Sequence, residues 1–111
     1  MKRIINAFFY SLAGLKAAFK SEVAFRQDCL ICLLGTIVLF FFNKTPLEKA
    51  LLFGTLVFIL LMELANTAIE TVIDRISEER HPLSKKAKDI GSSLVMIAFL
   101  NALVTWILIL S

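Results

Sequence analysis

Ala50 to Asp74 reads ALLFGTLVFILLMELANTAIETVID. The run carries no charge as far as Met62, is interrupted by Glu63, and resumes as Leu64-Ala65-Asn66-Thr67-Ala68-Ile69 before Glu70. It is long enough to cross a bilayer, whose hydrocarbon core takes about 20 helical residues. An ionised side chain inside that core costs on the order of 2.5–3.5 kcal/mol even on the lenient insertion scale, so the two glutamates need a reason. Their spacing supplies one. Glu63, Asn66, Glu70 and Asp74 follow steps of three, four and four residues, which at 100° per residue keeps them within a stripe roughly 80° wide on one helix face. A hydrogen-bond network between helices would explain a polar stripe, but three acids with few intramembrane cations to pair with make poor glue.

Two more apolar segments flank this one. Cys29 to Asn43 (CLICLLGTIVLFFFN) has no charge and, with the approach from Ser21, makes a first span; Ile90 to Leu110 makes a third. Pro-marked polar connections over Asn43–Lys49 and Arg75–Lys86 separate the three. Residues 2 to 20 have the charged start of a signal peptide, but Asn6 breaks the apolar stretch and Lys16 and Lys20 stand where cleavage would fall. Ile4, Ile5, Phe8, Leu12, Leu15 and Phe19 recur on one helical face, as in a helix lying in the headgroup plane. The expected fold is an all-α membrane protein with three transmembrane helices and an amino-terminal amphipathic surface helix, in one domain over residues 1–111.

Composition agrees. Of the 111 residues, 59% are hydrophobic against roughly 45–50% in soluble domains, and a chain this short leaves about 40% of its unfolded-state surface exposed after folding. The surplus must face lipid. Twelve Lys and Arg against nine Asp and Glu give a net charge of +3, with no basic stripe for nucleic acid. Basic residues cluster before the first span and between the second and third, so the amino terminus and the second connection are assigned to the cytoplasm.

Depth separates the carboxylates. With entry near Leu47, Glu63 lies about 24 Å along a core about 30 Å thick, and Glu70 about 10 Å further, at the cytoplasmic interface. That arrangement suits a lipid hydroxyl at Glu63 and a metal-bound nucleotide at Glu70. Glu22, Arg26, Gln27 and Asp28 lead into the first span from the same side, and Lys88, Asp89 and Ser92 open the third. Glu22 beside Glu70 would offer a hard cation two oxygen ligands, leaving the rest to phosphate and water, and Lys88 would supply a point charge for phosphate. Solvated helix ends explain each of these charges taken singly. With glycine only at positions 14, 35, 54 and 91, neither a Walker loop nor a G-x-G-x-x-G loop exists. Cys29-Leu30-Ile31-Cys32 has C-x-x-C spacing but reads as apolar packing, His81 has no metal-ligand companions, and Trp106 reads as an interfacial anchor.

Glu63-Leu-Ala-Asn66-Thr-Ala-Ile-Glu70-Thr-Val-Ile-Asp74-Arg75, followed by Lys85-Lys86-Ala87-Lys88-Asp89-Ile90-Gly91-Ser92, resembles the signature of the prokaryotic diacylglycerol kinases, small integral-membrane lipid kinases. The likeness runs upstream through Glu22-Val-Ala-Phe25-Arg26-Gln27-Asp28, Gly14-Leu15-Lys16-Ala17-Ala18 and Tyr10, covering almost the whole chain. It implies a homotrimer in the bacterial cytoplasmic (inner) membrane that uses ATP and Mg2+ to phosphorylate diacylglycerol. Carried over by position, it implies Glu63 as catalytic base and Glu22 and Glu70 as metal ligands. Arg3, Tyr10, Glu79, Arg80, His81, Lys88 and Asp89 would contact the nucleotide; Asn66 and Asp74 would support the site; Arg3, Arg26 and Gln27 would lie at the lipid. Asp28 stands where the Gram-negative branch has Glu, and Arg80 where an aromatic residue is common. His81-Pro82-Leu83 is similar to Gram-positive relatives that phosphorylate undecaprenol, whereas Phe25-Arg26-Gln27 favours the diacylglycerol branch. A proton-coupled transporter of similar length is the non-kinase alternative; it has no need of the Lys88-Asp89 pair or of a second carboxylate at the interface, and an odd number of spans suits inverted packing poorly.

Overall fold

In the computed structural model, which describes all 111 residues, the chain forms four α-helices: α1 (Lys2–Ser21), α2 (Val23–Leu39), α3 (Pro46–Ile76) and α4 (Pro82–Leu110). The all-α expectation holds, and α1 matches the amphipathic segment, with Ala18 its single buried residue. One extended residue, Glu22, divides α1 from α2 (φ −114°, ψ 110°). Arg26 stabilises the break: its Nη1 donates to the carbonyls of Phe19 (2.6 Å) and Lys20 (3.1 Å), placing a cation on the negative end of α1.

The connections are shorter than the Pro-marked stretches suggested. Thr45 and Glu48 form a capping box: the Glu48 amide donates to Thr45 Oγ1 (3.2 Å) and the Thr45 amide to Glu48 Oε1 (3.1 Å). Those donors hold the Glu48 carboxyl below its ordinary range. Pro46 thus opens α3 at a position where a missing N–H costs nothing. Pro82 opens α4 in the same way, with His81 as the cap, its Nδ1 accepting from the Leu83 amide (3.1 Å). Pro46–Lys49 and Pro82–Lys86 are therefore helical, as are Arg75 and Ile76, and the longer connection contracts to Ser77–His81. The helix expected as a first span ends early: α2 stops at Leu39, and the amides of Phe40, Phe41 and Phe42 turn back to carbonyls three residues earlier, a tighter 3₁₀-like winding.

α3 is the central element, packed against α2 on one side and α4 on the other. Leu52, Leu56 and Ile59 of α3 are buried against Cys32 and Leu39 of α2 and Ala98 and Ala102 of α4. Small residues on α4 let the two long helices approach closely. The C-x-x-C pair serves packing, with both thiols free and buried Cys32 donating to the Leu56 carbonyl (3.2 Å). Trp106 does more than anchor an interface. Its Nε1 donates to Thr55 Oγ1 (2.9 Å), the buried Thr55 hydroxyl donates to the Leu52 carbonyl (2.6 Å), and the Phe42 ring stacks edge-on at 6.1 Å.

This shape hides little apolar surface. Only 14 of 111 residues are buried, and the radius of gyration, 16.7 Å, exceeds the about 13 Å of a globular chain this long. α3 and α4 are long and apolar enough to cross a membrane, and just 11% of the most apolar stretch of α4 is covered by the rest of the chain. α2, at 17 residues, spans about 26 Å at 1.5 Å per residue, a little short of a full hydrocarbon core.

Candidate active site

The polar stripe lies on the unbroken α3. Glu63 and Asn66 are buried at its inner end, Glu70 is half-buried, and Asp74 is exposed. One turn apart, Asn66 Nδ2 donates to Glu70 Oε1 (3.1 Å). Gly91 of α4 backs this pair so closely that a Cβ there would collide with Asn66 Oδ1. That oxygen is fully buried with no partner. Glycine at the opening of α4 thus sets how far Asn66 can turn, and Asn66 in turn orients a Glu70 oxygen.

α2 contributes a residue to which sequence reasoning gave no role. Asp28 is buried, 6% exposed, and its carboxyl faces that of Glu63, 7% exposed, across the α2–α3 seam. Asp28 Oδ2 has no hydrogen-bond partner. A buried carboxyl oxygen without a donor is costly, and two adjacent carboxyls satisfy one another only when one of them carries a proton; a donor from elsewhere is the other way to satisfy Asp28 Oδ2. Spacing within α2 gave one available signal: Asp28 falls a turn after Phe25 and a turn before Cys32, both buried on the same face.

An apolar groove of about 620 Å³, bordered by Leu15, Phe19, Phe25, Cys29 and Leu60 with Lys16 and Lys20 at its rim, runs beneath α1. Its lining takes in Phe25 and Cys29 of α2 and Leu60 of α3, the helices that carry Asp28 and Glu63, but neither carboxyl borders it.

The ends of α3 and α4 that meet at Ser77–His81 enclose a second, polar cleft of about 640 Å³. Glu79, Arg80, His81, Lys88, Asp89 and Asp74 all line it. Lys88 donates to Asp74 Oδ1 (2.8 Å) and Lys85 to Asp89 Oδ2 (2.6 Å). Each lysine's pKa is raised chiefly by that hydrogen bond, Lys88's also by the charges of Asp74 and Glu70. Arg3 and Tyr10 sit exposed on α1 and do not border this cleft. Gln27 is exposed, and the Arg26 guanidinium is taken up by the end of α1.

Glu22 at the α1–α2 break and Glu70 on α3 both lie near enough to bear on Glu63 electrostatically. No three His, Cys, Asp or Glu side chains cluster as ligands. Two carboxylates, were they to converge, would suit a hard divalent cation that keeps most of its coordination for phosphate and water.

The chain thus carries a buried carboxyl pair between α2 and α3, an apolar groove bordered by α1, α2 and α3, and a charged cleft where α3 and α4 meet. The sequence profile of prokaryotic diacylglycerol kinase matches residues 9–110. The chain belongs to that family. It is 47% identical over 110 residues to the diacylglycerol kinase of Pseudomonas aeruginosa, covering 99% of this chain and 89% of that one. With the diacylglycerol kinase of Haemophilus influenzae the identity is 42% over 106 residues, 96% and 90% of the two chains. With that of Escherichia coli K12 it is 41% over 108 residues, 97% and 88%. Membership in this family of lipid kinases makes the chain a phosphotransferase and excludes the transporter alternative.

Proposed function

We propose that the protein transfers the γ-phosphoryl group of ATP to the free hydroxyl of diacylglycerol at the cytoplasmic face of the bacterial inner membrane, forming phosphatidic acid and ADP. The observation that carries this reading is the buried Asp28–Glu63 pair with its unpartnered oxygen, on helices that also border an apolar groove. The groove accepts acyl chain, and the lipid hydroxyl supplies the donor that the pair lacks. As the hydroxyl oxygen bonds to the γ-phosphorus, its proton passes to Glu63 and the bond to the β-phosphate oxygen breaks, releasing ADP. A positioned base is worth roughly 10²–10⁴-fold in such a step.

Glu22 and Glu70 would hold Mg2+, which neutralises charge on the β- and γ-phosphates. Asn66 keeps one Glu70 oxygen in place, Asp74 holds Lys88 at the cleft, and Glu79, Arg80, His81, Lys88 and Asp89 receive the nucleotide. Arg3 and Tyr10, remote from the cleft within one chain, would join it by movement of α1 or from a neighbouring copy. Arg26 acts on the lipid site through the α1–α2 angle, with exposed Gln27 beside it. Three spans are assembled by extending α2 through its Phe40–Phe42 turn, with the amino terminus cytoplasmic, and the copies associate as a homotrimer.

The test offers diacylglycerol and undecaprenol separately to purified protein in mixed micelles with γ-labelled ATP. Label should enter diacylglycerol. Transfer to undecaprenol alone would move the protein to that branch of the family, and transfer to neither would overturn the proposal.

A further inference from the structure

Phosphoryl transfer with Glu63 as base gives Asp28 no step, yet Asp28 is as deeply buried as Glu63 and lies within hydrogen-bonding reach of it across the α2–α3 seam. The fully buried oxygen without a partner belongs to Asp28: it is Oδ2, so Oδ1 is the atom left to face Glu63. The charged groups that bear on Glu63 are Asp28, Glu70 and Glu22, all acids. On α2 the neighbours that feel Asp28 are the thiols of Cys29 and Cys32, and on α4 the Lys88 ammonium is taken up by Asp74 at the cleft. Two adjacent carboxylates with no cation to offset them cannot both ionise away from water, so one proton is shared between them.

We propose that Asp28 is a second catalytic residue, the relay through which the proton of the lipid hydroxyl reaches Glu63. In the resting pair Asp28 carries the shared proton on Oδ1 and donates it to the Glu63 carboxylate, leaving Oδ2 to accept the hydroxyl. As the hydroxyl oxygen bonds to the γ-phosphorus, its O–H bond breaks and an Oδ2–H bond forms on Asp28. The Oδ1–H bond breaks in turn and an O–H bond forms on Glu63. The bond from the γ-phosphorus to the β-phosphate oxygen breaks, and ADP leaves with that electron pair. The carboxyl pair passes from one negative charge to none, having taken up one proton, and Glu63 remains the final acceptor. Neither carboxyl borders the apolar groove, so the relay requires the Phe25 ring, which does border it and lies about one turn before Asp28, to turn aside as lipid enters. The identity of the hydroxyl rests on the diacylglycerol reading; the shared proton rests on the side-chain geometry alone.

Asp28→Asn tests the relay, because the amide keeps the size of the side chain and still donates to Glu63 but cannot pass a proton on. Its turnover on diacylglycerol, with ATP and magnesium saturating, should fall by about 10²–10⁴-fold, the effect expected of removing the base itself. Combining it with Glu63→Gln should cost little more than either alone, since members of one proton path do not add. Infrared spectra of the resting protein at neutral pH, with neither lipid nor nucleotide present, supply the second readout. The wild type should show a protonated-carboxyl band that Asp28→Asn and Glu63→Gln each remove, because each keeps the single negative charge of the pair and deletes its proton. A wild type without that band, a band that survives in either variant, or Asp28→Asn retaining more than about a tenth of wild-type turnover would overturn the proposal. Failure of the diacylglycerol reading would show instead as no transfer of label by the wild type, with the infrared result unaffected.

Discussion

Gly91→Ala places a methyl group against Asn66 Oδ1, inside contact distance, and at 3.6 Å from Ile69 Cδ1. The second contact is ordinary; the first forces the Asn66 amide to turn or α4 to move away. Overpacking of this kind costs about 1–3 kcal/mol, offset by about 1 kcal/mol because Ala suits a helix better than Gly. The single substitution is thus expected to destabilise by no more than about 2 kcal/mol. The informative quantity is the coupling. In an Asn66→Ala background the clash is absent, so the overpacking component should vanish and a double-mutant cycle should return about 1–3 kcal/mol of interaction. Turning Asn66 also breaks its 3.1 Å bond to Glu70, so Gly91→Ala should raise the magnesium concentration needed for half-maximal activity even where the protein remains folded. Reversible unfolding of the four variants in mixed micelles measures the cycle. Coupling below about 0.5 kcal/mol, the range of independent sites, would refute the claim that Gly91 sets the Asn66 rotamer.

Other outcomes follow from the same geometry. Glu22→Gln and Glu70→Gln should each shift the magnesium dependence upward at saturating ATP, since a lost carboxylate charge weakens a hard-cation site; unchanged metal titrations would remove both from that role. Lys88→Met should impair phosphoryl transfer with little loss of stability, because its ion pair with Asp74 is exposed and screened. That pair is fully present below the ordinary lysine value of 10.5 and fades only as pH rises past the raised pKa of Lys88, so stability of the wild type should show no Lys88-dependent change between pH 6 and 9, as melting in a pH series would reveal. Trp106→Phe should cost about 1 kcal/mol, the lost bond to Thr55, while Thr55 keeps its bond to Leu52; a neutral result in micelle unfolding would return Trp106 to a purely interfacial role.

Periodicity made the α3 stripe legible, because Glu63, Asn66, Glu70 and Asp74 depend only on the turn of one helix. Lys88 was legible at the opening of the last apolar segment, whereas Glu79, Arg80 and His81 entered only through the family resemblance; that they line one cleft with Lys88 depends on how short the α3–α4 connection is. Asp28 was not: facing Glu63 depends on the register of α2 against α3, which no spacing within either helix encodes. Arg26 entered as a lipid contact through the family resemblance; its bonds to the carbonyls of Phe19 and Lys20 were not legible, because they depend on the angle of the break at Glu22, which no spacing encodes. Pro46 and Pro82 were read as loop residues although a cap precedes each, Thr45 and His81. The aromatic run after Leu39 hid the early end of α2, since an apolar stretch looks alike in a helix and in a tight turn.

The proposed chemistry needs Glu63 as the group that takes the lipid hydroxyl's proton. Glu63→Gln keeps the size of the side chain and its capacity to hydrogen-bond, but cannot accept that proton. Turnover of this variant on diacylglycerol with magnesium and ATP saturating should fall by about 10²–10⁴-fold, with nucleotide binding and assembly unchanged. A variant retaining more than about a tenth of wild-type turnover would contradict the account and leave Glu63 a positional role only.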